Sequence, residues 1–224
     1  SYAAGAIAPG EVVILFGTGL GPATAASGGF QGGRWAKSVA GVQVTFDGTT
    51  SPILYVKDTQ IAVIAPFELA GKTQTSVQVA MNQQRSAAVQ AAVTTVAPGV
   101  FTADSSGAGA AARVTTAGVA SGAKAVAKGA TFSILATGLG WLDPTPATGA
   151  LGSAAAPRKA TSVVAATIGG QPAAVAYAGT NPNSPLGVYS IDLVMHATVS
   201  SGDARLILAV DGVPAQSGLT VPVE

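Results

Sequence analysis

One phrase is written twice in this chain, and that repetition limits the fold more than any other feature. "FGTGLGP" at residues 16–22 returns as "LATGLGW" at 135–141. With an offset of 119, "PGEVVILFGTGLGP" (9–22) lies over "KGATFSILATGLGW" (128–141), so Gly10 falls on Gly129, Thr18 on Thr137 and Leu20 on Leu139. After a shift of three, "VQVTFDGTTSPILY" (42–55) matches "VAATIGGQPAAVAY" (164–177), and Tyr55 meets Tyr177. "SVQVAMNQQRSAAVQAAV" and "RLILAVDGVPAQSGLTVPV" follow in the same order. Three blocks in one order describe a tandem duplication. The 224 residues then divide into two units, each long enough to bury a core of its own.

Each block has the grammar of strands. Val42, Val44 and Phe46 alternate with Gln43, Thr45 and Asp47, a period of two with one apolar face. Val77, Val79 and Met81 repeat the pattern, as do Leu206, Leu208 and Val210. Asp47-Gly48, Gly169-Gly170 and Asp211-Gly212 stand where hairpins need positive φ. No window carries a convincing helical stripe. The pattern predicts an all-β chain with Phe16, Leu20, Val42, Val44, Phe46, Leu135, Leu139 and Ile168 buried, and Gln43 and Thr45 outward. The glycine phrase is expected to be a corner whose leucine drops into the core. It is not a phosphate loop: the glycines are spaced G-x-G-x-G rather than G-x-G-x-x-G, and no helical pattern follows.

Composition narrows the function. Charged residues make up 9% of the chain, against roughly 25% in an average domain, and the net charge is +1. Nothing here attracts nucleic acid or an anionic membrane surface. No stretch of 18 residues is free of polar breaks, so membrane insertion is not expected. The chain has no cysteine, which removes disulfides, thiolate metal sites and cysteine nucleophiles together. It starts at Ser1 without an initiator methionine, as an excised piece of a longer chain would.

Taken together, "AIAPGEVVILFGTGLGP", "VTFDGTTSPILYVKDTQIAVIAPFELAG", "VAPGVFTA", "ATGLGWLDPTPATG" and "ATIGGQPAAVAYAG" resemble the uncharacterised C-terminal domain family of Solibacter-type acidobacterial proteins. The resemblance covers essentially the whole chain. It implies a pair of immunoglobulin-like sandwiches of the IPT/TIG sort at the end of long exported proteins, and it brings no catalytic residues with it. The family's Gln-Ile-Asn reads Gln60-Ile61-Ala62 here and Ser190-Ile191-Asp192 in the second half; the proline that follows is Pro66, then His196.

Candidate chemistry is sparse. Ser121-Gly-Ala-Lys124 fits S-x-x-K, but glycine lies inside the motif and no helix is expected there. His196 is the only histidine; on a strand it would stand roughly 13 Å from Asp192, too far for a Ser190–Asp192–His196 relay. The aspartates form no D-x-D-x-D loop, although a calcium ion near Asp104 and Asp143 stays open. Trp35 and Trp141 are candidate sugar platforms, with core packing as the other reading. Tyr2 and Ile7, in the apolar and uncharged "SYAAGAIA", are candidate assembly residues, able to add to a sheet edge of an adjacent subunit or to fold back on their own sandwich.

The expectation is therefore two tandem immunoglobulin-like β-sandwiches, 1–98 and 99–224, split near Pro98–Phe101 with a loop-rich join at 102–127. The expected function is a non-catalytic extracellular or cell-surface structural or adhesive module without cofactors. Its expected partner is itself, in a homo-polymer, or neighbouring domains of an exported chain. A carbohydrate-binding accessory module is the alternative, with glycans as partners.

Overall fold

The computed structural model describes residues 5–82, 84–115, 118–120 and 124–224. Tyr2 and Ser121 lie outside them. The chain is nearly all β. Among the described residues the one helical element is a 3-10 turn at Phe67–Leu69, and no helix is long and apolar enough to cross a membrane.

Both halves have the same strand order. In the first, one sheet runs Val12–Phe16, Gln60–Ile64, Ile53–Lys57, Ala26–Ser27; in the second, Thr131–Thr137, Tyr189–Val194, Gln171–Thr180 and Lys159–Ala160 take those places. Facing them, Gln74–Met81 pairs with Val42–Phe46 and Val89–Ala92, and Gly202–Val210 pairs with Val164–Ile168 and Leu219–Val223. The register repeats as well. Val12 opposes Ile64 where Thr131 opposes Val194, and Val44 opposes Val79 where Ala166 opposes Leu208. Even the irregularities are copied: one β-bulge falls between Ile53 and Tyr55, its twin between Val175 and Tyr177. All three predicted hairpin dipeptides have positive φ at both residues.

The entry to each sandwich is duplicated too. Ile7 forms a parallel bridge with Val93, and Val126 forms one with Val223. Ile7 N donates to Ala92 O and accepts at its own carbonyl from Thr94 N; Val126 repeats this with Pro222 and Glu224. Ile7 is buried in the first core. That backbone is spent within its own sandwich rather than presented to another chain.

The halves differ at a proline. In the second sandwich Gln171–Thr180 is continuous, pairing first with Val164–Ile168 and then with Tyr189–Val194, so it turns the corner between the sheets. In the first, Thr49–Thr50 and Ile53–Lys57 are separate strands, and Pro52, which has no N–H to donate, stands in the break. The join between the halves is also more than loop. Arg113–Thr115 adds to Thr131–Thr137, and Gly109–Ala110 runs parallel to Leu219–Val223.

Two hydrophobic cores result. One gathers Val42, Val44, Phe46, Ile53, Ile61 and Leu69; the other gathers Ile134, Leu139, Ile168, Tyr189, Leu206 and Leu208. Leu135 is buried, and Gln43 points outward as expected. Two expectations need correction. Leu20 is only half-buried, and Phe16 is 65% exposed. On Val12–Phe16 the residues that pack on the core are Val13 and Leu15; Phe16 has the opposite parity and falls on the outer face.

Candidate functional site

The two sandwiches meet at a built joint. The 3-10 turn divides its side chains: Leu69 enters the first core, while Phe67 enters the second. Phe67 is held there by Thr148, whose Oγ1 accepts from Phe67 N (3.0 Å) and donates to Glu68 Oε2 (2.6 Å). Arg34 donates to Thr148 O at 3.1 Å, and Trp35 N donates to Gly149 O at 2.7 Å. Closer to the sheet ends, Val12 N donates to Thr137 Oγ1 (2.7 Å), and the buried Tyr189 hydroxyl donates to Gly10 O (3.3 Å). There is no room for more. A Cβ at Gly10 would lie 2.4 Å from the Phe67 ring and 2.7 Å from the Tyr189 oxygen.

Glu11 lies in this joint. Its Oε2 accepts from Ala8 N at 2.8 Å. Burial raises its carboxyl to about 7, a rise that the Ala8 N–H only partly offsets. Tyr189 is pushed well above the usual tyrosine range, first by its own burial and then by the neighbouring Glu11 charge. The equivalent position in the second copy is Ala130, which makes the same backbone hydrogen bond: Ala65 N donates to Glu11 O, and Met195 N to Ala130 O. The carboxyl is thus an addition to the repeat rather than part of it.

Beside the joint is a cleft of about 570 Å³ to which both sandwiches contribute. Pro9, Thr73, Thr94 and Thr95 come from the first half; Trp141, Thr161 and Ser162 come from the second. Trp141 keeps 38% of its surface exposed. Thr161 N and Oγ1 both donate to Trp141 O, at 3.0 and 3.3 Å, which sets the Thr161-Ser162 pair beside the indole. Lys72 and Asp211 also line the cleft, but each is engaged elsewhere. Lys72 pairs with Asp47 at 2.7 Å, and Asp211 Oδ1 accepts from Val163 N at 2.7 Å.

The structure separates the two tryptophans of the sequence reading. Trp141 lines the cleft; Trp35 is partly buried at the joint, where its Nε1 donates to Ile53 O at 2.7 Å. Ser190, Asp192 and His196 do not assemble into a relay. Asp192 Oδ1 accepts from Ser133 (2.6 Å) and Ser190 (3.2 Å), while the exposed His196 shares its Nδ1 with Thr198 at 2.8 Å. Asp104 accepts from the backbone and side chain of Ser106, and no cluster of three or more acids or histidines occurs among the described residues. Sequence reasoning missed Glu11, Phe67, Thr148 and Tyr189. Glu11 left the one usable signal, a carboxylate directly before the apolar run "VVILF" in a chain with so few charges.

The family model of the IPT/TIG domain matches residues 3–93. No curated protein sequence matches the chain. Among solved structures, a Bacteroides ovatus mixed-linkage glucan utilization locus protein, SGBP-B, in complex with a mixed-linkage heptasaccharide, is similar at 14% identity and a TM-score of 0.38, over 98% of this chain and 42% of that one. The full extracellular region of plexin A4 is similar at 14% identity and a TM-score of 0.29, over 100% of this chain and 19% of that one. A chimeric titin Z1Z2 tandem is similar at 18% identity and a TM-score of 0.23, over 85% of this chain and 88% of that one. The chain therefore spans less than half the length of the first two. Residues 3–93 are similar to the IPT/TIG domain, and the second half of the chain repeats the strand order and register of the first, so that the whole is a tandem of immunoglobulin-like sandwiches.

Proposed function

We propose that the chain is a non-catalytic extracellular module, a stiff two-sandwich segment with a structural or adhesive role in a longer exported bacterial protein. One observation carries this reading: the joint. A flexible linker would leave two independent beads, whereas here Phe67 is buried in the other sandwich's core and Thr148 closes hydrogen bonds across the boundary. The low charge and the Solibacter-type sequence resemblance agree with a module of exported chains. Strand donation through residues 1–8 gains no support from Ile7, whose hydrogen bonds are made at home. Small-angle X-ray scattering on the whole chain tests the reading. One fixed arrangement of the two sandwiches should fit the curve; a curve requiring an ensemble of inter-sandwich angles would remove its basis.

A second reading is favoured by the cleft at Trp141, which suits a carbohydrate-binding accessory module. Both readings share the joint, since the cleft exists only while the two sandwiches keep their positions.

A further inference from the structure

We propose that the cleft between the sandwiches binds a neutral oligosaccharide of β-linked, all-equatorial hexopyranose units, with Trp141 as the stacking platform; this deepens the carbohydrate-binding reading and rests on it. The volume, about 570 Å³, falls within the range of small-ligand sites. The Trp141 indole lines the cleft with 38% of its surface exposed, and no indole N–H partner occurs among the described residues; an indole ring has a flat apolar face. Such a face fits a sugar ring whose hydroxyls are all equatorial, because its axial C–H bonds form an apolar face of the same kind. An axial hydroxyl interrupts that face.

The rim argues for a neutral ligand. Each of its two charged groups has a partner of its own, Lys72 in Asp47 and Asp211 in the backbone N–H of Val163. What remains is a set of hydroxyls: those of Thr73, Thr94, Thr95 and Ser162 have no protein partner among the described residues. Hydroxyls both donate and accept, as sugar hydroxyls do, so they can pair with a neutral polyol without burying charge. They come from both sandwiches, and a bound chain would bridge them.

Affinity electrophoresis of the whole chain decides the matter, with hydroxyethyl cellulose, dextran or polygalacturonate in the gel. Retardation by hydroxyethyl cellulose alone is expected, weakened at least about tenfold in Trp141→Ala and only partly in Trp141→Phe. Ser162→Arg, which fills the cleft while leaving Trp141 itself unchanged, should abolish retardation, and it serves as the test if Trp141→Ala does not fold. Unretarded migration in all three gels, retention by dextran or polygalacturonate instead, or wild-type retardation of the folded variants would overturn the site. The scattering curve distinguishes the outcomes: a rigid chain that binds no glycan loses the cleft proposal and keeps the structural module.

Discussion

The two copies of T-G-L-G share a left-handed first glycine and stand in two environments. Gly19 and Gly138 share the same left-handed φ, 67° and 70°. Around them everything differs. In the first copy Thr18 and Gly19 are exposed and Leu20 is half-buried; in the second, Thr137, Gly138 and Leu139 are all buried. The covering comes from the connection between the halves. Ala97 N donates to Gly138 O, and Gly140 abuts the backbone at Thr95. The repeated phrase thus brings back its left-handed first glycine, while the second glycine is left-handed only at Gly140, and burial is decided by what the rest of the molecule lays on top.

The contrast is sharpest for glycine to alanine. At Gly138 a Cβ would lie 1.8 Å from Ala97 O, so backbone must move; at Gly19 it meets nothing within 4 Å. Gly19→Ala should therefore cost about 1–2 kcal/mol, the left-handed penalty alone. Gly138→Ala should cost more than about 3 kcal/mol, as both the strain and the clash are imposed. Equal losses in chemical denaturation would mean that the connection does not cover the second copy.

Leucine truncation probes the same difference through packing. Leu139→Ala removes a fully buried side chain and should cost about 2–5 kcal/mol, whereas Leu20→Ala should cost less than about 2 kcal/mol. A reversed order would break the comparison.

Glu11 against Ala130 is a third contrast, read through pH. The folded carboxyl titrates near 7 and the unfolded one near 4.5, so as pH rises the unfolded chain releases its proton first. The contribution of this group to stability should be greatest below pH 4.5 and fall through the interval up to pH 7, by up to about 3 kcal/mol. Glu11→Gln should flatten that slope; an unchanged slope would show that Glu11 does not carry it. The smallest effect belongs to Phe16. Its exposure predicts that Phe16→Ser shifts stability within about 0.5 kcal/mol, while Leu135→Ser, at the matching and buried position, costs several times more.

Much of the fold was legible because it is local. Val42 to Phe46 alternates, Asp47-Gly48 turns, and the duplicated blocks carry register with them. The failures are non-local. Phe16 was read as core from the apolarity of its strand, but a run of five apolar residues does not reveal which parity faces inward. Thr148 sits in "PTPATG", where nothing in the sequence announces that its hydroxyl will meet Phe67 and Glu68 from 80 residues away. Trp141 was singled out for its residue type, and Trp35 equally so; only the joint separates a lining residue from a packed one.

The duplicated entry bridges have a mechanical meaning. In each copy of the repeat the segment leading into the first strand, at Ile7 or Val126, lies parallel to the copy's C-terminal segment at Val93 or Val223. Tension along the chain pulls the first and last segments of such a unit in opposite directions, parallel to the strands. The two hydrogen bonds at each bridge are then loaded together in shear, instead of being peeled apart one at a time. Antiparallel partners at the same place would unzip. A chain built this way resists stretching from its ends with a small patch of backbone in each repeat, and the patches act in series along the molecule.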